Sequence, residues 1–265
     1  MRRSAILMLG AMVLVLLAGP ALAPHSYREQ FRDSPDAAAS ARYPLGTDGL
    51  GRDQLSRMLC GGRVSMVCAP AAALVAGLLA FGLALAGGCC GRRAERAVGV
   101  LADLCLSLPW LFALLAARAA LPLEAPAAAT VAVTFGLLGA LGWAGPCRIL
   151  LAAAKIRSRS DFALAAEAAG CARWRIAAVQ VAPHLWKLAA AQFLVTVPAF
   201  LLAEANLGLL GLGVPEPLPS LGGMLRDLED LPAIAQHPLV LAPALLLVAL
   251  VGLFHIAVST DEYHV

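Results

Sequence analysis

Residues 64–88 read VSMVCAPAAALVAGLLAFGLALAGG, 25 positions without a charged side chain. A helix rises about 1.5 Å per residue and the hydrocarbon core of a bilayer is about 30 Å thick, so some 20 apolar residues suffice to cross it. This run exceeds that length. Working outward, comparable runs lie at roughly 5–23, 97–121, 127–150, 187–205 and 238–258. Only helices and closed barrels satisfy their backbone polar groups in lipid, and runs of this length are helical. The reading is an all-α membrane protein with about six transmembrane helices. Across 265 residues, 60% are hydrophobic and only 14% charged, which agrees.

The first run has an alternative. Met1-Arg2-Arg3, an apolar stretch and Ala21-Leu22-Ala23 also resemble a secretory signal with its cleavage site. The length of the run, the five runs that follow and Pro24 just after the cleavage position favour an uncleaved anchor. Orientation follows from the basic residues beside the runs. With the N-terminus in the cytoplasm, the inner segments hold Arg2 and Arg3, then Arg92, Arg93 and Arg96, then Arg148, Lys155, Arg157, Arg159, Arg173, Arg175 and Lys187. Segment 24–62 mixes both signs, and 206–237 is acidic through Glu216, Asp227, Glu229 and Asp230. Both termini are therefore expected in the cytoplasm, at the inner membrane of the cell.

Other classes have little support. The net charge of +3 is confined to the flanks of apolar runs and aromatics are 6% of the chain, a poor basis for nucleic-acid binding. Seven cysteines, mostly in apolar runs and without a CxxC pair, suit packing better than metal ligation. The five histidines are dispersed. No Gly-rich loop ends in Gly-Lys, so an ATP-binding P-loop is not encoded.

Three polar stretches interrupt the apolar runs. In DFALAAEAAGCARWRIAAVQVAPH, Asp161–His184, Asp161 is placed to cap a short helix and Gly170 to end it in a left-handed conformation. A second helix is expected from Cys171 to Pro183, with Trp174, Ala177, Ala178 and Val181 on one face. Spacing alone permits a plain amphipathic helix resting on anionic headgroups. In PLGTDGLGRDQLSRMLCGGRVSM, Pro44–Met66, Thr47 or Asp48 is expected to cap a short helix that ends at Gly61-Gly62, with Arg52, Asp53, Ser56 and Arg57 outward. LAEANLGLLGLGVPEPLPSLGGML, Leu202–Leu225, carries Pro215, Pro217 and Pro219 in an extended segment.

These stretches resemble those of binding-protein-dependent ABC importer permeases, most of all the dipeptide/oligopeptide/nickel branch. Ala165, Ala166, Gly170 and Pro183 keep the spacing of the family's EAA loop, with Asp161, Arg175 and Ile176 beside them, whereas Leu164, Gln180 and Ala182 depart from its identities. Gly46, Thr47, Asp48, Gly51, Arg52, Asp53, Ser56 and Arg57 match the family's LGTDxLGRDxxSR segment. The third stretch is similar to EAxLSFLGLGxxPPxPxWGxML, with Leu221 in place of Trp and Gly208-Leu209 in place of Ser-Phe. Asp103, Ser107 and Pro109 fit the family's Asp-x-x-x-Ser-x-Pro, while the C-terminal Phe254–Thr260 departs from its usual end.

The resemblance implies a type I ABC importer transmembrane domain. Residues 1–62 form an anchor helix plus an outer segment, and 63–260 the permease core, with a cytoplasmic coupling loop at 152–186. It also implies partners: a second homologous permease subunit, two ATP-binding subunits that hold ATP and Mg, and an extracytoplasmic solute-binding protein. No cofactor is expected on this chain. The solute would be a dipeptide, an oligopeptide or nickel. The Pro44–Met66 helix either docks the binding protein or only anchors the outer interface. Glu204 and Asp103 either line a pathway or reach the interface from span ends. Two readings of other classes are an intramembrane enzyme, for which no paired carboxylates, Ser/His pair or metal ligands share a depth, and an accessory membrane protein that has lost transport.

Overall fold

A computed structural model of the chain describes residues 2–120, 122, 126–229 and 237–259. Asp230 and Thr260, used in the sequence reading, lie outside them. The described residues are helical or irregular, apart from one isolated antiparallel bridge between Thr47 and Asp53. The helices are α1 (Arg2–Leu17), α2 (Gly19–Leu22), α3 (Gln54–Cys89), α4 (Arg92–Ser107), α5 (Trp110–Ala119), α6 (Ala127–Leu141), α7 (Ala144–Ser158), α8 (Asp161–Ala168), α9 (Arg173–Ile176), α10 (Ala182–Leu209), α11 (Leu221–Leu225) and α12 (Ala242–Ser259).

Among the described residues, four continuous helical stretches are long and apolar enough to cross a membrane: Gln54–Cys89, Ala127–Ser158, Arg173–Leu209 and Pro238–Val258. They contain the runs at 64–88, 127–150, 187–205 and 238–258. The first run forms the shorter apolar helix α1 and then α2. The run at 97–121 is not one helix. Leu108 turns extended, at φ −73° and ψ 126°, immediately before Pro109. Proline has no N–H to give the ladder and its ring pushes the preceding residue out of the helical region, so α4 ends there and α5 starts afresh. Pro70 and Pro198, by contrast, are carried inside α3 and α10.

The chain divides into two compact units. The first comprises Met1–Pro70, Arg118–Thr134 and Val197–Val265. In it α1 packs on α12, with Ala5 and Leu16 buried on one helix and Leu247, Leu250 and Phe254 on the other. Glycines set how closely the N-terminal helices lie on α3. A Cβ at Gly62 would fall 2.6 Å from Leu16 Cδ2, and one at Gly19 would fall 2.5 Å from the Leu59 carbonyl. Gly61-Gly62 therefore serves as a close-packing point inside α3 and not as its end.

The second unit comprises Ala71–Ala117 and Phe135–Thr196. Here α4 packs on α7, burying Val98 and Ala102 from one and Cys147, Leu150 and Ala154 from the other. Gly87 and Gly88, near the end of α3, meet Leu151 and Ala154 of α7. Ala72, Ala73, Ala76, Ala80 and Ala84 make a buried stripe at helical spacing along α3. Gly139 of α6 comes close to the Ala72 carbonyl and Val75. Lipid is as apolar as leucine, so these helices gain by dispersion at close range, and small side chains permit that approach.

Candidate functional site

The first candidate is the segment ahead of α3. Gly46 and Gly51 adopt φ of +79° and +72°, and a side chain at either would strike backbone, the Ala37 carbonyl or the Phe31 carbonyl. Between them the chain closes on itself: Asp48 N–H donates to Arg52 O at 3.0 Å and Gln54 N–H to Gly46 O at 3.1 Å. Thr47 does not cap a helix. Its hydroxyl donates to Ser34 O at 2.6 Å and accepts from Ala37 N–H at 2.8 Å, stitching the preceding loop to this one. The cap of α3 is Asp53, whose Oδ2 accepts from Ser56 N–H at 3.1 Å and also from the Ser56 hydroxyl.

Arg52, Asp53, Ser56 and Arg57, expected to point outward, are all buried. The reason is charge pairing. Asp48 Oδ1 accepts the N–H groups of Leu50 at 3.0 Å and Arg52 at 2.8 Å, while Oδ2 accepts Arg52 Nε at 2.7 Å and Arg57 Nη1. Glu216, more than 150 positions away, completes the set with Oε2 on Arg52 Nη1 and Oε1 on Arg57 Nη2, the latter at 2.8 Å. Two guanidiniums thus face two carboxylates, and a planar fork fits that arrangement better than a lysine would. Asp227 stands nearby. Burial pushes its carboxyl above the usual aspartate range, against the opposing pull of Arg57. Sequence reading noted Glu216 only as an acidic residue among prolines, and no local spacing encodes a partner so far away.

The second candidate is Glu204, which is 1% exposed and buried within the fold on α10. Its Oε2 accepts from the Ser65 hydroxyl at 3.2 Å and from Gly222 N–H at 3.2 Å. Ser65 Oγ in turn accepts from Leu221 N–H at 3.3 Å, and Ser220 caps α11 by accepting from Gly223 N–H at 3.0 Å. A Cβ on Gly222 would lie 2.6 Å from Glu204 Oε1, and one on Gly208 would run into the Gly222 backbone. The carboxylate therefore ties α3, α10 and α11 at a point where only glycine fits. Asp103 is more than half exposed and pairs with Arg148 at 3.1 Å.

The third candidate is the loop 161–183. Ser160, not Asp161, is the residue before α8, and Asp161 occupies its first turn, where a negative charge suits the helix N-terminus. Gly170 ends the helix at φ +82°. Its N–H donates to Glu167 O at 3.0 Å and Cys171 N–H to Ala166 O at 3.0 Å, the paired bonds of a Schellman motif. Pro183 does not stop the next helix. Residues Ala177–Val181 form a π-helical turn, and the chain passes through it into α10. Pro183 is thus carried in the helix as Pro70 and Pro198 are, here directly after a widened turn.

That turn also regroups the faces. Ile176 and Val181, five positions apart, are buried together with Ala163, Leu185 and Ala154. Trp174 is 72% exposed and does not share the Val181 face, and Ala178 and Val179 are exposed as well. Phe162 stacks on the His184 ring with centroids 5.9 Å apart, closing the hairpin. Of the matched loop residues, Ala166 packs against the buried cluster and Ile176 lies in it, while Asp161, Ala165, Gly170, Arg175 and Pro183 are exposed.

Several helices long and apolar enough to cross a membrane, with a helical hairpin between two of them and a buried charge cluster ahead of α3, define a multi-pass membrane protein. The chain belongs to the family of binding-protein-dependent transport system inner membrane components, whose model matches residues 62–259. It is similar to the di/tripeptide transport system permease protein DppC of Pseudomonas aeruginosa (strain UCBPP-PA14), at 31% identity over 82% of this chain and 72% of that protein. The dipeptide transport system permease protein DppC of Bacillus subtilis (strain 168) is 29% identical over 86% and 71%. The oligopeptide transport system permease protein OppC of the same organism is 27% identical over 89% and 77%. These relatives are transport permeases and not enzymes. The comparisons favour neither the intramembrane enzyme nor the accessory reading.

Proposed function

We propose that the chain is a permease subunit that moves peptides, or a related small solute, inward across the inner membrane after delivery by a binding protein. The names of its relatives support the peptide class, and nickel remains the sequence-based alternative. ATP and Mg would be held by two partner ATPase chains, and a second homologous permease would complete the pathway. Six crossings with both termini in the cytoplasm agree with the basic residues flanking the apolar runs.

The observation that carries this reading is the hairpin at 161–183. One face is fixed in the Ala163–Ile176–Val181–Leu185 cluster, and the other leaves Leu164, Trp174 and Val179 exposed. An exposed apolar face on an anchored helix suits helix-in-groove docking to a partner, through which nucleotide-driven closure would move the helices attached to it. Within the first unit, the Asp48–Arg52–Arg57–Glu216 cluster would hold the outer segment rigid for the binding protein.

The test is copurification and uptake with variants of the hairpin. Gly170→Val places a β-branched residue at φ +82°, where nothing lies within 4 Å of a Cβ, so any effect comes from the backbone. It should lose both the ATPase and uptake of a peptide panel, whereas Gly170→Asn should keep most of both. Trp174→Ser should weaken ATPase recovery without unfolding the chain. Wild-type recovery and uptake in Gly170→Val and Trp174→Ser together would remove the docking reading. Uptake of nickel in place of peptides would redirect the solute.

A further inference from the structure

A cavity of about 560 Å³ lies within the second unit, lined by side chains from α4, α7, α8 and α9 and by the Gly87–Cys89 end of α3. Its cations are Arg92 and Arg96, one turn apart on α4, Lys155 and Arg159 about α7's end, and Arg173 at the start of α9. Two carboxylates face the same space. Glu95 accepts from Lys155 Nζ at 2.5 Å, and Glu167 accepts from Arg173 Nη2 at 3.3 Å. That leaves three cations in excess. Among the described residues, the side chains of Arg92, Arg96 and Arg159 make no hydrogen bond and no ion pair within 4 Å. Glu95 registers the field: the Lys155 hydrogen bond, with Arg159 and Arg92 adding, holds its carboxyl below the usual glutamate range.

Three like charges gathered around a void, with their counter-charges already used, call for an anion from outside the chain. A phosphate group matches the geometry, since arginine forks bind its oxygens in pairs. The surroundings indicate what carries the phosphate. Farther along α4 the exposed side chains include the apolar Val100, Leu101 and Leu104 beside Asp103 and Ser107, and Ile149 is exposed on α7. Asp103 and Arg148 pair with each other there and add no net charge. A headgroup in the cavity with acyl chains along these residues satisfies both halves of the surface.

We propose that this cavity is a binding site for the phosphate of an anionic phospholipid, which bridges α4 and α7 to the α8–α9 hairpin. The site lies within one unit and does not rest on the transport reading.

The full chain, purified in a neutral detergent, is titrated with phosphatidylglycerol or phosphatidylcholine and bound lipid is counted by native mass spectrometry. Soluble pyrophosphate is followed separately by phosphorus NMR line broadening. Each basic residue near an anionic headgroup is worth about fivefold in binding, so Arg92→Gln/Arg96→Gln/Arg159→Gln should weaken phosphatidylglycerol on the order of 100-fold and leave phosphatidylcholine unchanged. Glu95→Gln removes a carboxylate from the cavity and should tighten phosphatidylglycerol about fivefold by the same increment, a gain that misfolding cannot produce. Equal phosphatidylglycerol retention by wild type and the triple variant would overturn the site. Pyrophosphate binding that the triple variant loses, with no preference between the lipids, would overturn the lipid and leave a soluble phosphate as occupant.

Discussion

Asp48 is the residue on which the segment before α3 depends, because it accepts from two backbone N–H groups and two guanidiniums. Asp48→Ala would leave Arg52 and Arg57 buried with Glu216 as their remaining hydrogen-bonded carboxylate and Asp227 nearby, and removal of one partner from a buried pair costs about 3–5 kcal/mol. Glu216 is 58% exposed and water can replace much of what it gives, so Glu216→Ala should cost well under half as much. Thermal unfolding of the two variants in one detergent checks the order. Asp227 gives a pH test. Its folded-state pKa lies above the ordinary 3.8, so the folded chain takes up the proton more readily than the unfolded chain. That contribution to stability is complete below 3.8 and is lost as pH rises through the raised value. Asp227→Asn, which stays neutral, should therefore unfold at a higher temperature than wild type at pH 7, with the gap narrowing as the buffer is acidified.

At the scale of elements, a single extra residue in the helical ladder has the largest consequence. The π-helical turn at Ala177–Val181 makes Ile176 and Val181 point the same way although they are five apart. Deleting Ala178 would restore a spacing of four, which an α-helix also places on one face. Such a chain should reach the membrane and unfold within a few degrees of wild type. The deletion shortens the exposed face that carries Ala178 and Val179, and ATPase recovery should fall sharply. Wild-type recovery with the deletion would show that the turn is only a packing accommodation. Gly170 was readable in sequence because a glycine after a helical stretch has a local meaning. The π-turn was not, because Ala-Ala-Val-Gln-Val is compatible with either ladder and Pro183 looked like a stop. Asp53 as the cap was likewise hidden among Thr47, Asp48 and Asp53, all residues suited to the role.

For the whole molecule, the apolar runs at 64–88, 127–150, 187–205 and 238–258 were legible because length and composition alone decide a span. The run at 97–121 misled on continuity, since hydropathy does not register the break that Pro109 makes. Buried polar partners such as Ser65 with Glu204 were illegible for a different reason: they are joined over 139 positions. Reporter fusions settle the number of crossings. A reporter at Gly91 is expected on the cytoplasmic side and one at Pro122 on the opposite side, if α4 and α5 together cross despite their break. Activity on the same side at both positions would reduce the count. Glu204 bears on how the chain is made. Its Oε2 acceptor is met by Ser65, synthesised long before it, and by Gly222, synthesised 18 residues after it. A carboxyl without those donors is expensive in hydrocarbon. The helix bearing Glu204 is therefore expected to leave the insertion machinery for lipid only after the chain through Gly222 has emerged, so chains truncated before Gly222 should stay crosslinked to that machinery and longer ones should not.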